Sequence, residues 1–222
     1  MKNIYRIRFS GGLCVLTLAF QLLTPSAAPA APGEGAATPP NMAEATPVKR
    51  QALDWIQPAA WVRHSSPATV TVTAVGEKDA KNQALRIEAQ FTDTNKEQWA
   101  FPLRSFVPPL DFSDFDGIAF EFTSDATETK SRVGITLWEP DRVLYLATTA
   151  AVGDKRRVVF LFRDFAWGPW ASKDPNGRLD LDKISQVQIG FFTRHPKMWL
   201  EVGSFELVKF APTPSPATGE KP

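Results

Sequence analysis

The sequence predicts an all-β protein, built as an antiparallel two-sheet β-sandwich. Three observations predict it. Short segments alternate apolar and polar residues with a period of two, and they favour Val, Ile, Phe, Thr and Trp. Clusters of Gly, Pro, Asp and Asn separate these segments. No helical run of crossover length lies between them, which argues against a parallel sheet.

Nine segments carry the pattern. They are "TVTVTAV" from Thr69, "ALRIEAQF" from Ala84, "EQWAFPL" from Glu97, "GIAFEF" from Gly117, "RVGITLW" from Arg132, "VLYLATT" from Val143, "RVVFLF" from Arg157, "SQVQIGFF" from Ser185 and "MWLEVGSFELV" from Met198. The one helix-like piece, "LDLDKIS", has room for a single turn capped by Asp180 or Asp182. Alternation assigns faces: Leu85, Ile87, Ala89 and Phe91 go inward, as do Ile118, Phe120 and Phe122, Val133, Ile135 and Leu137, Val187, Ile189 and Phe191, and Met198, Leu200 and Val202. Three outer faces follow: Gly134, Thr136 and Trp138; Gln186, Gln188, Gly190 and Phe192; Trp199 and Glu201. A solvated face would hold more Lys, Glu and Thr, so these strands as neighbours would make a surface of small residues, amides and aromatics.

The ends are expected to lie outside the sandwich. Residues 1–30 have the layout of a cleaved signal peptide: basic Lys2, Arg6 and Arg8, the apolar "GGLCVLTLAFQLL" and the small-residue "PSAAPA". A membrane anchor would need about 20 apolar residues, and this stretch is shorter. A secreted or periplasmic protein with no membrane span after cleavage is the expectation. Residues 31–50 form a Pro/Ala-rich linker, 51–210 the β-sandwich binding domain, and 211–222 a disordered Pro-rich tail. The single cysteine, Cys14, lies in the apolar stretch without a lipoprotein signal, so neither a disulfide nor a lipid anchor is expected. Cleavage removes three basic side chains and leaves 22 basic against 24 acidic ones from the original 25 and 24. A chain this near neutrality gives no electrostatic case for nucleic acid or an anionic membrane.

Catalytic chemistry is sparsely represented. The two histidines, His64 in "VRHSSP" and His195 in "TRHPK", have no metal-spaced partner and no nucleophile elbow, and both read as loop residues. Glu121, Glu139, Asp141 and Glu201 are candidates for a carboxylate pair on composition alone, in a domain small for a glycosidase. "DFSDFDG" crowds three aspartates but lacks the spacing of a calcium loop, and "KDPNGRLD" has the composition of a turn.

Seven tryptophans remain to be explained. Trp99, alternating with Phe101 and Leu103, is expected in the core, and Trp55 and Trp61 are expected to pack at the domain entrance. Trp138, Trp167, Trp170 and Trp199 fall on outer faces or in turns. In "FAWGPW", Phe165 is the core anchor, Gly-Pro the bend, and Trp170 the indole left for a partner. The C–H face of a sugar ring stacks on indole while its hydroxyls seek polar edges. The expected ligand-binding residues are therefore Trp138, Tyr145, Trp167, Trp170, Gln188 and Arg194, with no catalytic residue and no metal ligand.

The order of "LDW", "ALRIEAQF", "PLDFSDFDGIAFEFTSDA", "RRVVFLFRDF", "GRLDLDKISQVQIGFF" and "WLEVGSFELV" resembles the galactose-binding-like jelly rolls, which include carbohydrate-binding modules and the complex I intermediate-associated protein type. The resemblance covers nearly all of residues 51–210. It implies a two-sheet β-sandwich that binds its ligand through aromatics, sometimes with a structural calcium, and it places "DFSDFDG" at the turn before a core strand. Glu201 stands where many members carry Asp. The function expected is a secreted, non-catalytic carbohydrate-binding domain. The alternative is a protein-interaction or assembly subunit of an exported complex that uses the same aromatic surface, and a glycosidase ranks third.

Overall fold

A computed structural model describes residues 46–76, 83–93, 95–128, 130–152 and 154–212 of the chain. The expected signal peptide, most of the linker and nearly all of the Pro-rich tail lie outside the described residues. Two six-stranded antiparallel sheets contain every strand among the described residues. The first comprises β1 (Lys49–Ala52), β2 (Ala68–Val75), β3 (Ala84–Phe91), β6 (Gly117–Ser124), β9 (Arg156–Leu161) and β12 (Lys197–Lys209). Its order is β2-β3-β12-β6-β9, with β1 paired to β12. The second comprises β4 (Gln98–Ala100), β5 (Leu103–Leu110), β7 (Arg132–Trp138), β8 (Leu144–Ala150), β10 (Ala166–Trp167) and β11 (Ile184–Thr193). Its order is β10-β8-β7-β11-β4, with β5 also on β11. The sandwich is the expected one.

One apolar core lies between the sheets because each strand turns its alternate residues toward the other sheet. Leu85, Ile87, Val133, Ile135, Val187, Ile189, Leu200 and Val202 are fully buried in a single cluster. Phe91 of the first sheet meets Phe191 of the second edge-on at 6.3 Å between ring centres. Trp55 and Trp61 are buried as expected, and the Trp61 indole donates to the Trp55 carbonyl at 2.9 Å.

β12 departs from strict alternation. Met198, Leu200 and Val202 point inward, and then Phe205 and Leu207 do. The pairing to β6 shifts between Gly203 and Glu206, and Ser204 takes a left-handed φ of 53°. An extra residue in one strand reverses which face every later side chain occupies, as a β-bulge does. Val208 and Phe210 consequently pack outside, with Ala119 and Leu161, in a small second cluster.

Three strands carry no legible sequence signal. β1 is exposed along its whole length. β10 has two residues. β5 contains Pro108 and Pro109, which sit where its ladder to β11 is interrupted between Ile184 and Gln186, so their missing N–H groups cost no pairing.

The aspartates of "DFSDFDG" divide between structural duties. Asp111 accepts from the Ser113 N–H at 2.8 Å, Asp116 accepts from the Phe210 N–H at 2.7 Å, and Asp114 faces Lys49 at 3.5 Å. Among the described residues no group of three or more His, Cys, Asp or Glu is placed to hold a metal. No helix among them is long and apolar enough to cross a membrane.

Candidate functional site

The outer faces predicted for β7 and β11 are one surface. Gln188 pairs with Thr136, Gly190 with Gly134 and Gln186 with Trp138 across the two strands. β8 adds Leu144 and Leu146 on the same side, because Leu144 pairs with Trp138 and Leu146 with Thr136. The Trp199–Glu201 face belongs instead to the other sheet, on the opposite side of the core. There Arg86 lies over the Trp199 ring at 4.3 Å and binds Glu201 at 2.7 Å.

A cavity of about 450 Å³ lies over the β7–β11 surface. Its floor is Thr136, Leu144, Leu146 and Gln188, and its walls are Trp99, Phe101, Trp138, Phe192, His64 and Trp170. Two glycines let the wall close in. An added Cβ at Gly190 would stand 1.9 Å from the Ala100 carbonyl oxygen, and one at Gly134 would stand 3.2 Å from the Phe101 ring. The chain at Ala100 and Phe101 therefore crosses directly over β11, and the Phe101 ring settles beside Phe192 at 4.8 Å.

Trp99 is a correction. It pairs with Phe192 and so shares the outer face, while its neighbours Gln98 and Ala100 are buried. Alternation was legible here, but its phase was not, since β4 has only three residues and both faces of "QWA" carry large or apolar groups.

Gln188 organises the floor. Its Oε1 accepts from Thr136 Oγ1 at 2.8 Å and from Trp138 Nε1 at 2.9 Å. Its Nε2 donates to the Phe101 carbonyl at 3.2 Å and to His64 Nδ1 at 2.5 Å. An indole N–H can only donate and a carbonyl can only accept, so these partners fix the amide's orientation. The amide is fully occupied and holds the wall together. It has no group left for a ligand.

His64, like Trp99, is a site residue that sequence reasoning missed. "VRHSSP" runs antiparallel to the chain at Ala100–Leu103 through bridges at Val62 and Ser65, and the Phe101 N–H donates to the His64 carbonyl at 2.8 Å. The imidazole packs on Trp99 with ring centres 4.8 Å apart. Burial of the ring lowers its pKa. Because Nδ1 accepts from Gln188, the ring proton of the neutral form sits on Nε2.

The other predicted site residues separate. Trp170, 67% exposed, lines the cavity beside Gly168 and Leu144. Trp167 does not line it. It pairs with Tyr145 on the edge strand, hence on the other face of the sheet, and its indole donates to the Ser172 carbonyl at 3.0 Å. Tyr145 pairs with inward-facing Leu137 and is itself buried. Its hydroxyl donates to Asp174 in the "KDPNGRLD" turn, and burial, with that carboxylate next, pushes its pKa up. Arg194 lies beyond the end of β11, roughly 20 Å of extended chain from Gln188.

Glu121 and Glu201 share a small hollow on the first sheet, but Lys155 holds Glu121 at 2.8 Å and keeps its pKa low, and Arg86 holds Glu201. Burial raises the pKa of Glu139, whose Oε1 accepts the Asp180 N–H at 2.9 Å and so ties the long loop to the end of β7.

No protein-family model matches the chain, and a search of the curated proteins finds no match. Solved structures do match. The chain is similar to the family 11 carbohydrate-binding module of a cellulosomal cellulase of Clostridium thermocellum, with a TM-score of 0.60 and 17% identity over 77% of this chain and 100% of that one. It is also similar to a family 11 carbohydrate-binding module from Clostridium thermocellum in complex with a β-1,3-1,4-mixed-linked tetrasaccharide, with a TM-score of 0.58 and 17% identity over 72% and 96% of the two chains. The chain has the jelly-roll fold of the carbohydrate-binding modules.

Proposed function

We propose that the protein is a secreted, non-catalytic domain that binds a neutral glycan in the cavity over β7, β8 and β11. One observation carries this reading: Trp99, Trp138 and Trp170 converge with two phenylalanines on one cavity whose lining holds no carboxylate, lysine or arginine. Stacking on indole supplies affinity for the apolar faces of sugar rings, and a lining without charge selects against ionised ligands. The shared fold with a module solved around a tetrasaccharide supports the same reading.

Titration of the folded protein with a panel of soluble oligosaccharides, mixed-linkage glucan included, is expected to shift tryptophan emission and to saturate. Flat titrations across the panel would overturn the proposal. The exposure of Trp170 at 67% supports a second reading, in which the same rim docks a protein of an exported complex. A stoichiometric partner lost on Trp170→Ala, together with flat sugar titrations, would favour that one.

A further inference from the structure

The side chains that line the cavity have a one-sided hydrogen-bonding capacity left. Gln188 has spent both lone pairs of Oε1 and both protons of Nε2 within the protein. The Trp138 Nε1 proton and the Thr136 hydroxyl proton go to that same oxygen. Three N–H groups remain. His64 carries its proton on Nε2, and the Nε1 groups of Trp99 and Trp170 have no partner among the described residues. Against these donors stands a single side-chain acceptor, the oxygen of Thr136, on the floor in a residue only 4% exposed.

An unmodified sugar ring is poorly matched to such a lining. Each hydroxyl brings a proton that needs an acceptor, and a donor that leaves water without one weakens binding. An acetyl group has the opposite character. Its carbonyl accepts, and its methyl is suited to the apolar surfaces of Leu144, Leu146 and Phe192; an ester has no proton to donate, and an amide replaces the hydroxyl proton by a single N–H.

We propose that the sugar selected by this cavity carries an acetyl group, as an amide on nitrogen or an ester on oxygen. This rests on the glycan-binding reading above and adds the substituent that the lining recognises.

The test compares ligands that share a backbone. The full chain is titrated by calorimetry with tetra-N-acetylchitotetraose against cellotetraose, and with O-acetylated xylo-oligosaccharides against the same material after alkaline deacetylation. The expected result is that at least one acetylated member binds about tenfold tighter than its unacetylated counterpart, and which one does so identifies amide or ester. Trp99→Phe and Trp170→Phe keep an aromatic face and remove a donor, so one or both should narrow that ratio. Equal or tighter binding of both unacetylated members, or a ratio unchanged in both variants, overturns the acetyl assignment and leaves the glycan reading standing. Failure of all four ligands and of mixed-linkage glucan overturns both.

Discussion

Gln188 and His64, 124 residues apart in sequence, meet at 2.5 Å between amide Nε2 and imidazole Nδ1. That contact ties a central strand to the loop that closes the cavity, and through Oε1 it also holds the Trp138 indole. Gln188→Leu would strand the Trp138 N–H, the Thr136 hydroxyl and the Phe101 carbonyl together. A loss of about 1–3 kcal/mol is expected, read as a Tm lower by several degrees. Glycan affinity should fall with it, because the indole is no longer held. An unchanged Tm would show that the amide is not the organiser.

The His64 ring is expected to give stability a pH dependence of known sign. Its folded pKa lies below the ordinary 6.5, so the unfolded chain takes up the proton first. The contribution is complete above about pH 6.5 and is lost as pH falls through that value toward the folded pKa. Protonation also places a second N–H against the Gln188 amide. Urea midpoints at about pH 7.5 and 5.5 should differ more for the parent chain than for His64→Gln. Equal differences would remove His64 as the cause.

Gly190 is where the wall crosses the floor. Gly190→Ala would put a methyl 1.9 Å from a backbone oxygen, which no rotamer change relieves. Overpacking of this kind costs about 1–3 kcal/mol. Gly177→Ala is the comparison: its surroundings are empty within 4 Å, and only its φ of 71° opposes a side chain. Chemical denaturation should rank Gly190→Ala as the more destabilising of the two.

The two tryptophans of "FAWGPW" should respond differently. Trp170→Ala removes an exposed indole from the cavity, so glycan affinity should drop by about tenfold or more while stability changes by roughly 0.5 kcal/mol or less. Trp167→Ala should leave affinity unaltered, since that indole lies on the other face. A matching loss of affinity in both variants would contradict this placement.

Tyr145→Phe should also leave glycan affinity unaltered. The lost bond to Asp174 frees the 174–180 loop, at a cost of about 1–2 kcal/mol. Faster hydrogen exchange across that loop is the direct readout. A selective loss of glycan affinity would return Tyr145 to the site.

Much of the fold was legible because burial on one face imposes a period of two, and eight-residue stretches such as "ALRIEAQF" show it without ambiguity. The same rule placed Thr136, Trp138, Gln188 and Phe192 on the correct outer faces. It failed where segments are short or interrupted. Trp99 sits in a three-residue strand, Pro108 and Pro109 break the pattern of β5, and the bulge at Ser204 reverses phase within β12. Tyr145 carried a polar handle that suited a ligand as well as it suits Asp174.

The sequence by itself determined the strands, their inward faces and the surplus of aromatics, since these follow from local alternation and composition. Tertiary structure alone decided which outer faces adjoin, that Gln188 spends its amide inside the protein, and that His64 closes the cavity. Those depend on strand order and on loops crossing glycine-lined floors, relationships between residues far apart in the chain that no local periodicity encodes.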